Sequence, residues 1–179
     1  MSIEPWAEGT SLWLMPGGRT RTSIAAVIER LAVRLGTATF EPHVTLLPGL
    51  REPETDLINQ ARLLAAELEP LPLDFSGVDG LDAPFRCLFL KVRRSLALRE
   101  AYARACSCFG RVSEPSFDPH LSLVYGSLDP RRKRELRSEL ETALPPCLEV
   151  RHLGVWRTEG PVGAWRERAA IELGSGRDV

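Results

Sequence analysis

The stretch FEPHVTLLPG, residues 40–49, is answered 77 residues later by FDPHLSLVYG, residues 117–126. Phe, Pro, His, Leu and Gly recur at matching places, and Glu/Asp, Val/Leu, Thr/Ser and Leu/Val exchange like for like. The two copies hold two of the three histidines of this 179-residue chain. Both read as strands, and residues two apart on a strand share a face. His43 therefore projects with Thr45 and His120 with Ser122, while Val44 and Leu121 point toward an interior. Pro42 and Pro119 lack an amide donor and suit the first position of a strand.

Outward from the phrase, elements alternate. SLWLMP (11–16) reads as a strand closed by PGG, and Thr22–Ser23 offers an N-cap to IAAVIERLAVRLG, which ends at Gly36. PETDLINQARLLAAELE (53–69), SLALREAYARACSCFG (95–110, capped by Ser95) and DPRRKRELRSELETAL (129–144, Pro130 in its first turn) have helical apolar spacing. LPLDFSGVDGL (71–81) is an irregular strand and FRCLFLKVRR (85–94) a buried one; CLEVRHLGVWRTEG and AWRERAAIELG close the chain as a strand pair. Each half thus carries one phrase on a strand followed by a helix. The order predicts an α+β fold of two lobes, each an antiparallel sheet flanked by helices, related by a pseudo-twofold axis about a central cleft, with residues 1–179 as a single bilobal domain.

Composition bounds the function. A formal charge of −1 leaves no overall electrostatic footprint for nucleic acid, and 44% hydrophobic residues suffice for a core. The N-terminus has no cationic segment before an apolar one, and no run nears the ~20 apolar residues of a membrane span. Cys87, Cys106, Cys108 and Cys147 are scattered as free thiols would be, so a reducing cytoplasm is expected. Arg19 and Arg21 read as a solvated turn, RRKR (131–134) as an exposed helix face offset by Glu135, Glu139 and Glu141, and His152 as structural.

Two imidazoles on facing strands suit hydrolysis of a phosphodiester. One, neutral, takes a proton from water and the other, charged, gives one to the departing oxygen, each role being worth roughly 10²–10⁴ in rate. Hydroxyls at Thr45 and Ser122 can donate to phosphate oxygens. A metal site would need a third ligand, for which Glu41 and Asp118 are the neighbours on offer, without persuasive spacing.

HVT (43–45) and HLS (120–122) resemble the paired H-φ-[S/T]-φ motifs of the 2H phosphoesterase superfamily, and SLWLMP, PHVTLL and PHLSLVYG resemble its plant and yeast cyclic phosphodiesterase branch. The resemblance runs from about residue 11 to 173. It implies the bilobal fold above and cofactor-free, metal-independent opening of nucleotide cyclic phosphates: ADP-ribose 1″,2″-cyclic phosphate, a tRNA-splicing by-product, or nucleoside 2′,3′-cyclic phosphates. It implies His43 and His120 as the acid/base pair, with His120 activating water, and Thr45 and Ser122 as phosphate ligands. Tyr125 and Trp13 are implied substrate contacts, Trp13 by stacking on a base. Strict alternation would turn Tyr125 away from Ser122, so the strand must end or bulge before it. RNA ends are the rival substrate and a non-catalytic nucleotide-binding module the rival class; a monomer that binds a small nucleotide, with no membrane partner, is expected.

Overall fold

The computed structural model describes residues 5–174 of the chain. Strands β1 (Trp6–Ala7), β2 (Thr10–Pro16), β3 (Val44–Leu50), β4 (Leu71–Asp79), β5 (Leu88–Val92), β6 (His120–Val124), β7 (Cys147–Arg157), β8 (Gly160–Pro161) and β9 (Arg166–Glu172) alternate with helices α1 (Gly18–Leu35), α2 (Glu54–Glu67), α3 (Leu96–Cys108) and α4 (Pro130–Leu140). The fold is α+β with antiparallel sheets, as expected. Seven strands follow the order β2-β3-β6-β5-β4-β7-β9, and β2 also pairs with β7. Two four-stranded halves result, β3-β2-β7-β9 and β6-β5-β4-β7, and long β7 serves both: residues 147–150 pair with β4 and residues 150–157 with β2. The short pair β1–β8, absent from the sequence reading, lies apart.

Opposite β7, the halves touch through a single pairing, Val44 with Leu121. These are the residues between histidine and hydroxyl in the two copies of the phrase. The pseudo-twofold axis relating the copies therefore passes through this pair, and antiparallel register sets His43 across from Ser122 and Thr45 across from His120.

Alternation sorts the strands between two apolar groups. Leu12, Leu14, Val44, Leu46, Leu121 and Leu123 enter the main core with the inner faces of the helices, such as Ile24, Ile28 and Leu31 of α1 and Leu57, Ala61 and Leu64 of α2. Trp13 and Met15 point the other way, into a smaller cluster with Tyr125, Trp156, Val162 and Trp165. That second face bears the histidines.

Several local expectations shift. Helix α1 starts at Gly18, not after Thr22–Ser23, because Gly17 and Gly18 (φ +55°) reverse the chain directly after Pro16. Helix α2 stops at Glu67, where Leu68 turns extended ahead of Pro70, and α4 at Leu140, short of Pro145–Pro146. Ser95 and Asp129 cap α3 and α4 by accepting from the amides of Leu98 and Arg132. The irregularity in 71–81 is a register shift between Phe75 and Val78, at Gly77 (φ +117°). Within RRKR, Arg131 is exposed but Lys133 is buried, its ammonium donating to the Leu81 carbonyl and the Asp82 carboxylate.

Candidate active site

His43, Thr45, His120 and Ser122 line one cavity of about 390 Å³, together with Trp13, Tyr125, Phe85 and Arg86. All six residues expected at the site lie there. A larger groove of about 590 Å³ adjoins it but is lined by Arg51, Arg157, Glu8, Glu52, Glu54 and Glu159, with no histidine.

The phrase orients both rings in the same way. His43 Nδ1 donates to the Glu41 carbonyl at 2.6 Å, and His120 Nδ1 to the Asp118 carbonyl at 3.0 Å. A carbonyl only accepts, so each Nδ1 carries the proton and each neutral ring keeps Nε2 as an acceptor. The carboxylates of these two residues are held elsewhere. Glu41 pairs with Arg21 at 2.8 Å, and Asp118 is gripped by Arg86 and, at 3.5 Å, by Arg94. Burial acts against ionisation of Asp118, but those guanidinium groups hold it below the usual carboxylate range.

Beyond the backbone the two histidines differ. His43 is 4% exposed and stacks on Trp13, with centroids 3.5 Å apart and planes 6° from parallel. Burial drives its pKa down to about 3; the Glu41 hydrogen bond opposes this and the His120 charge adds to it. The Tyr125 hydroxyl donates to His43 Nε2 at 3.3 Å. His120 is half-buried, edge-on to Phe89 at 5.3 Å. Its pKa is also lowered, by burial first and by the Arg86 charge, against the Asp118 carbonyl and carboxylate.

Trp13 lies in a row of rings running across the strands. His43 at the start of β3 covers one face, and Trp156 on β7 stacks on the other at 4.5 Å. Gly154, the strand partner of Trp13, makes room, since a Cβ there would meet Trp156 Nε1 at 2.9 Å. With both faces covered, Trp13 braces His43 in this arrangement and offers no open face to a base. Tyr125 reaches the cleft because β6 ends at Val124, one residue before it. Its ring stacks on Phe40 at 3.8 Å, and burial pushes its hydroxyl pKa well up, so it stays a donor. Ser122 donates to the Phe85 carbonyl at 2.8 Å, which ties the 84–86 turn to β6.

Phe85, Arg86 and Trp165 are among the cavity residues that escaped the sequence reading. Phe85 and Trp165, 5.9 Å apart, form an apolar wall, and Arg86 supplies a cation beside His120 with its Nε buried and without a hydrogen-bond partner. The sequence reading places all three on strands, but β5 begins only at Leu88 and β9 at Arg166, so they stand on turns that period-two alternation does not orient.

The family model of the 2′-5′ RNA ligase superfamily matches residues 21–161. The chain belongs to that superfamily, the 2H phosphoesterases. Among curated proteins, one from Halalkalibacterium halodurans, provisionally named a phosphoesterase, is 35% identical over 95 residues, 47% of this chain and 56% of the relative. The chain thus matches little more than half the length of that relative. Among solved structures, LigT of E. coli in apo form superposes with a TM-score of 0.60 at 13% identity, over 94% of this chain and 99% of LigT. A protein of Thermus thermophilus gives 0.58 at 20% identity, over 93% and 98%. These likenesses are of fold. Among the described residues, no helix of this 2H phosphoesterase is long and apolar enough to cross a membrane.

Proposed function

We propose that this 2H phosphoesterase hydrolyses nucleotide cyclic phosphates, ADP-ribose 1″,2″-cyclic phosphate or nucleoside 2′,3′-cyclic phosphates, to phosphomonoesters by a two-histidine mechanism. The observation that carries this is the pairing of Val44 with Leu121, which gathers two imidazoles and two hydroxyls around one point. A phosphate over that pair meets Thr45 and a histidine from each side, with Arg86 at its flank.

The unequal exposure of the rings supports the order of events. Water arrives from solvent, and half-buried His120, held neutral with Nε2 as acceptor, takes its proton as oxygen attacks phosphorus. The bond from phosphorus to one ribose oxygen breaks, and His43 Nε2 delivers a proton to that oxygen, so one water is added in all. His43 is neutral in the empty cavity; the phosphodiester anion supplies the counter-charge that loads it. Thr45 and Arg86 stabilise the charge gathering on the non-bridging oxygens. The Phe85–Trp165 wall is the apolar surface for the nucleoside. Every role is filled by a side chain, so no metal or cofactor is required.

Support for a small nucleotide over RNA comes from charge. Net charge is −1, and the groove adjoining the cleft has four glutamates against two arginines, which disfavours a polyanionic track. LigT, the structural neighbour, has been solved with NADP+, with 3′-AMP and with ATP, and nucleotides are the ligand class proposed here. The motif context keeps the plant and yeast cyclic phosphodiesterase branch as the assignment within the superfamily. The test is a panel of ADP-ribose 1″,2″-cyclic phosphate, 2′,3′-cyclic nucleotides and a short RNA with a 2′,3′-cyclic end, read by phosphorus NMR with and without chelator. Chelator-resistant opening of the small substrates is expected. A clear preference for RNA, or loss of activity with chelator, overturns the reading.

A further inference from the structure

The cavity carries a second group of polar side chains away from the histidines. The histidine end holds the two imidazoles, Thr45 and Arg86. The other end, past Thr45, is lined by Ser11, Thr158, Ala7, Pro48, Gly49 and the Glu8 carboxylate, which Arg51 holds at the mouth. Ser11 is 5% exposed and Thr158 2%. Ser11 lies on β2 two residues from Trp13, whose partner on β3 is Thr45. Two residues of strand rise and one interstrand step put the Ser11 backbone on the order of 8 Å from that of Thr45, a nucleoside's length from the phosphate hydroxyl.

The Gly9 carbonyl at this end takes the Thr158 amide at 2.9 Å and has a second lone pair for a hydroxyl. Thr158 Oγ1 donates to the Gly9 carbonyl at 3.1 Å, which uses its one proton. With that proton so placed, Ser11 Oγ, 2.9 Å from Thr158 Oγ1, is the donor of the bond between the two hydroxyls. Its proton is committed, and only lone pairs of Ser11 Oγ remain for a ligand. With the Glu8 carboxylate, Ser11 gives a ligand two acceptors at this end.

We propose that Ser11, set as an acceptor by Thr158, is a specificity-determining residue that receives an exocyclic N–H of the base, so that amino bases (adenine, cytosine) are favoured over bases without that group. This rests on the nucleoside 2′,3′-cyclic phosphate reading of the site. In a nucleoside 2′,3′-cyclic phosphate the ribose beside the scissile phosphate stays at the histidine end, so the group that reaches Ser11 belongs to the base. A keto oxygen there meets a second acceptor, and a bare C–H leaves Ser11 unpaired in a buried place; each is penalised.

The experiment compares kcat/KM for the 2′,3′-cyclic phosphates of adenosine, purine riboside, cytidine and uridine, alongside calorimetric binding of the matching nucleoside monophosphates. Adenosine should exceed purine riboside, and cytidine uridine, by about 3- to 10-fold. Ser11→Ala should bring both ratios to about one. Thr158→Val keeps the shape but frees the Ser11 proton, so uridine should gain on cytidine; a merely structural pair would lower all four substrates together. Equal kcat/KM for all four in the wild-type protein overturns this proposal and leaves the phosphodiesterase reading standing. Amino-selective binding without hydrolysis sustains the site and overturns the reading, and absence of both binding and hydrolysis overturns both.

Discussion

The two half-sites share a backbone and little else. Both histidines donate Nδ1–H to the carbonyl two residues earlier and turn Nε2 to the cleft. Around His43 stand Trp13, Phe40 and Tyr125, all aromatic; around His120 stand Phe89, Arg86 and Asp118, with access to water. Duplication of a ten-residue phrase determines where the nitrogens point, and the unduplicated surroundings decide how dry each ring is. In the mechanism proposed above, an acid and a base are made from one local structure by placing it in a dry wall and in a wet one.

The largest effect that can break this comparison is removal of either ring. His43→Ala and His120→Ala should each lower kcat by roughly 10²–10⁴ with the circular dichroism spectrum retained. The pair separates on a diester with a good leaving group, such as p-nitrophenol, that departs without a proton. Turnover of that substrate should recover in His43→Ala and stay low in His120→Ala; recovery in the opposite variant reverses the acid and base.

The hydroxyls differ next. Thr45→Ala should cost about 10²-fold in kcat as a lost phosphate donor, with the melting temperature unchanged. Ser122 gives its proton to the Phe85 carbonyl, so Ser122→Ala should lose less turnover and instead about 1–3 kcal/mol of stability from the carbonyl left unpaired. Equal kinetic losses at unchanged stability would restore symmetry between them.

Acid stability follows from His43. Its folded pKa, near 3, lies below the ordinary histidine value of 6.5, so between those values the unfolded chain binds the extra proton. Stability is complete above pH 6.5 and falls as pH drops toward 3, by about 2 kcal/mol between pH 7 and pH 5. His120, shifted the same way, adds to the slope. Chemical denaturation across that range measures it, and His43→Phe should flatten it. Smallest is Tyr125→Phe. The lost hydroxyl stabilises neutral His43, so the His43 pKa should rise, visible in the NMR titration of its ring proton, with a change in kcat of about tenfold at most.

Strand parity made the four central residues readable from sequence, because period-two alternation and an internal repeat are both local signals. By the same parity β6 must break before Tyr125, and it ends at Val124. What stayed hidden depends on long-range contact. The covered faces of Trp13 require Trp156, 143 positions away in a chain whose numbering gives no hint of the meeting. Phe85, Arg86 and Trp165 sit on turns whose direction is set by bonds such as Ser122 to Phe85. The inward turn of Lys133, within a run that reads as solvated, answers to the Leu81 carbonyl on a distant loop.

Strand β7 carries a consequence for the order of synthesis. The first copy of the phrase leaves the ribosome early, yet its sheet is only β2 with β3 until residues 147–172 supply β7 and β9. Trp13 and the hydrophobic edge of β2 must wait through most of translation, the interval in which an unpaired edge is open to wrong partners. The second copy can pair with β5 as soon as it emerges, since β4 and β5 precede it. The older half of the molecule in sequence is therefore the last to close, and a stalled or truncated chain would expose the His43 side first.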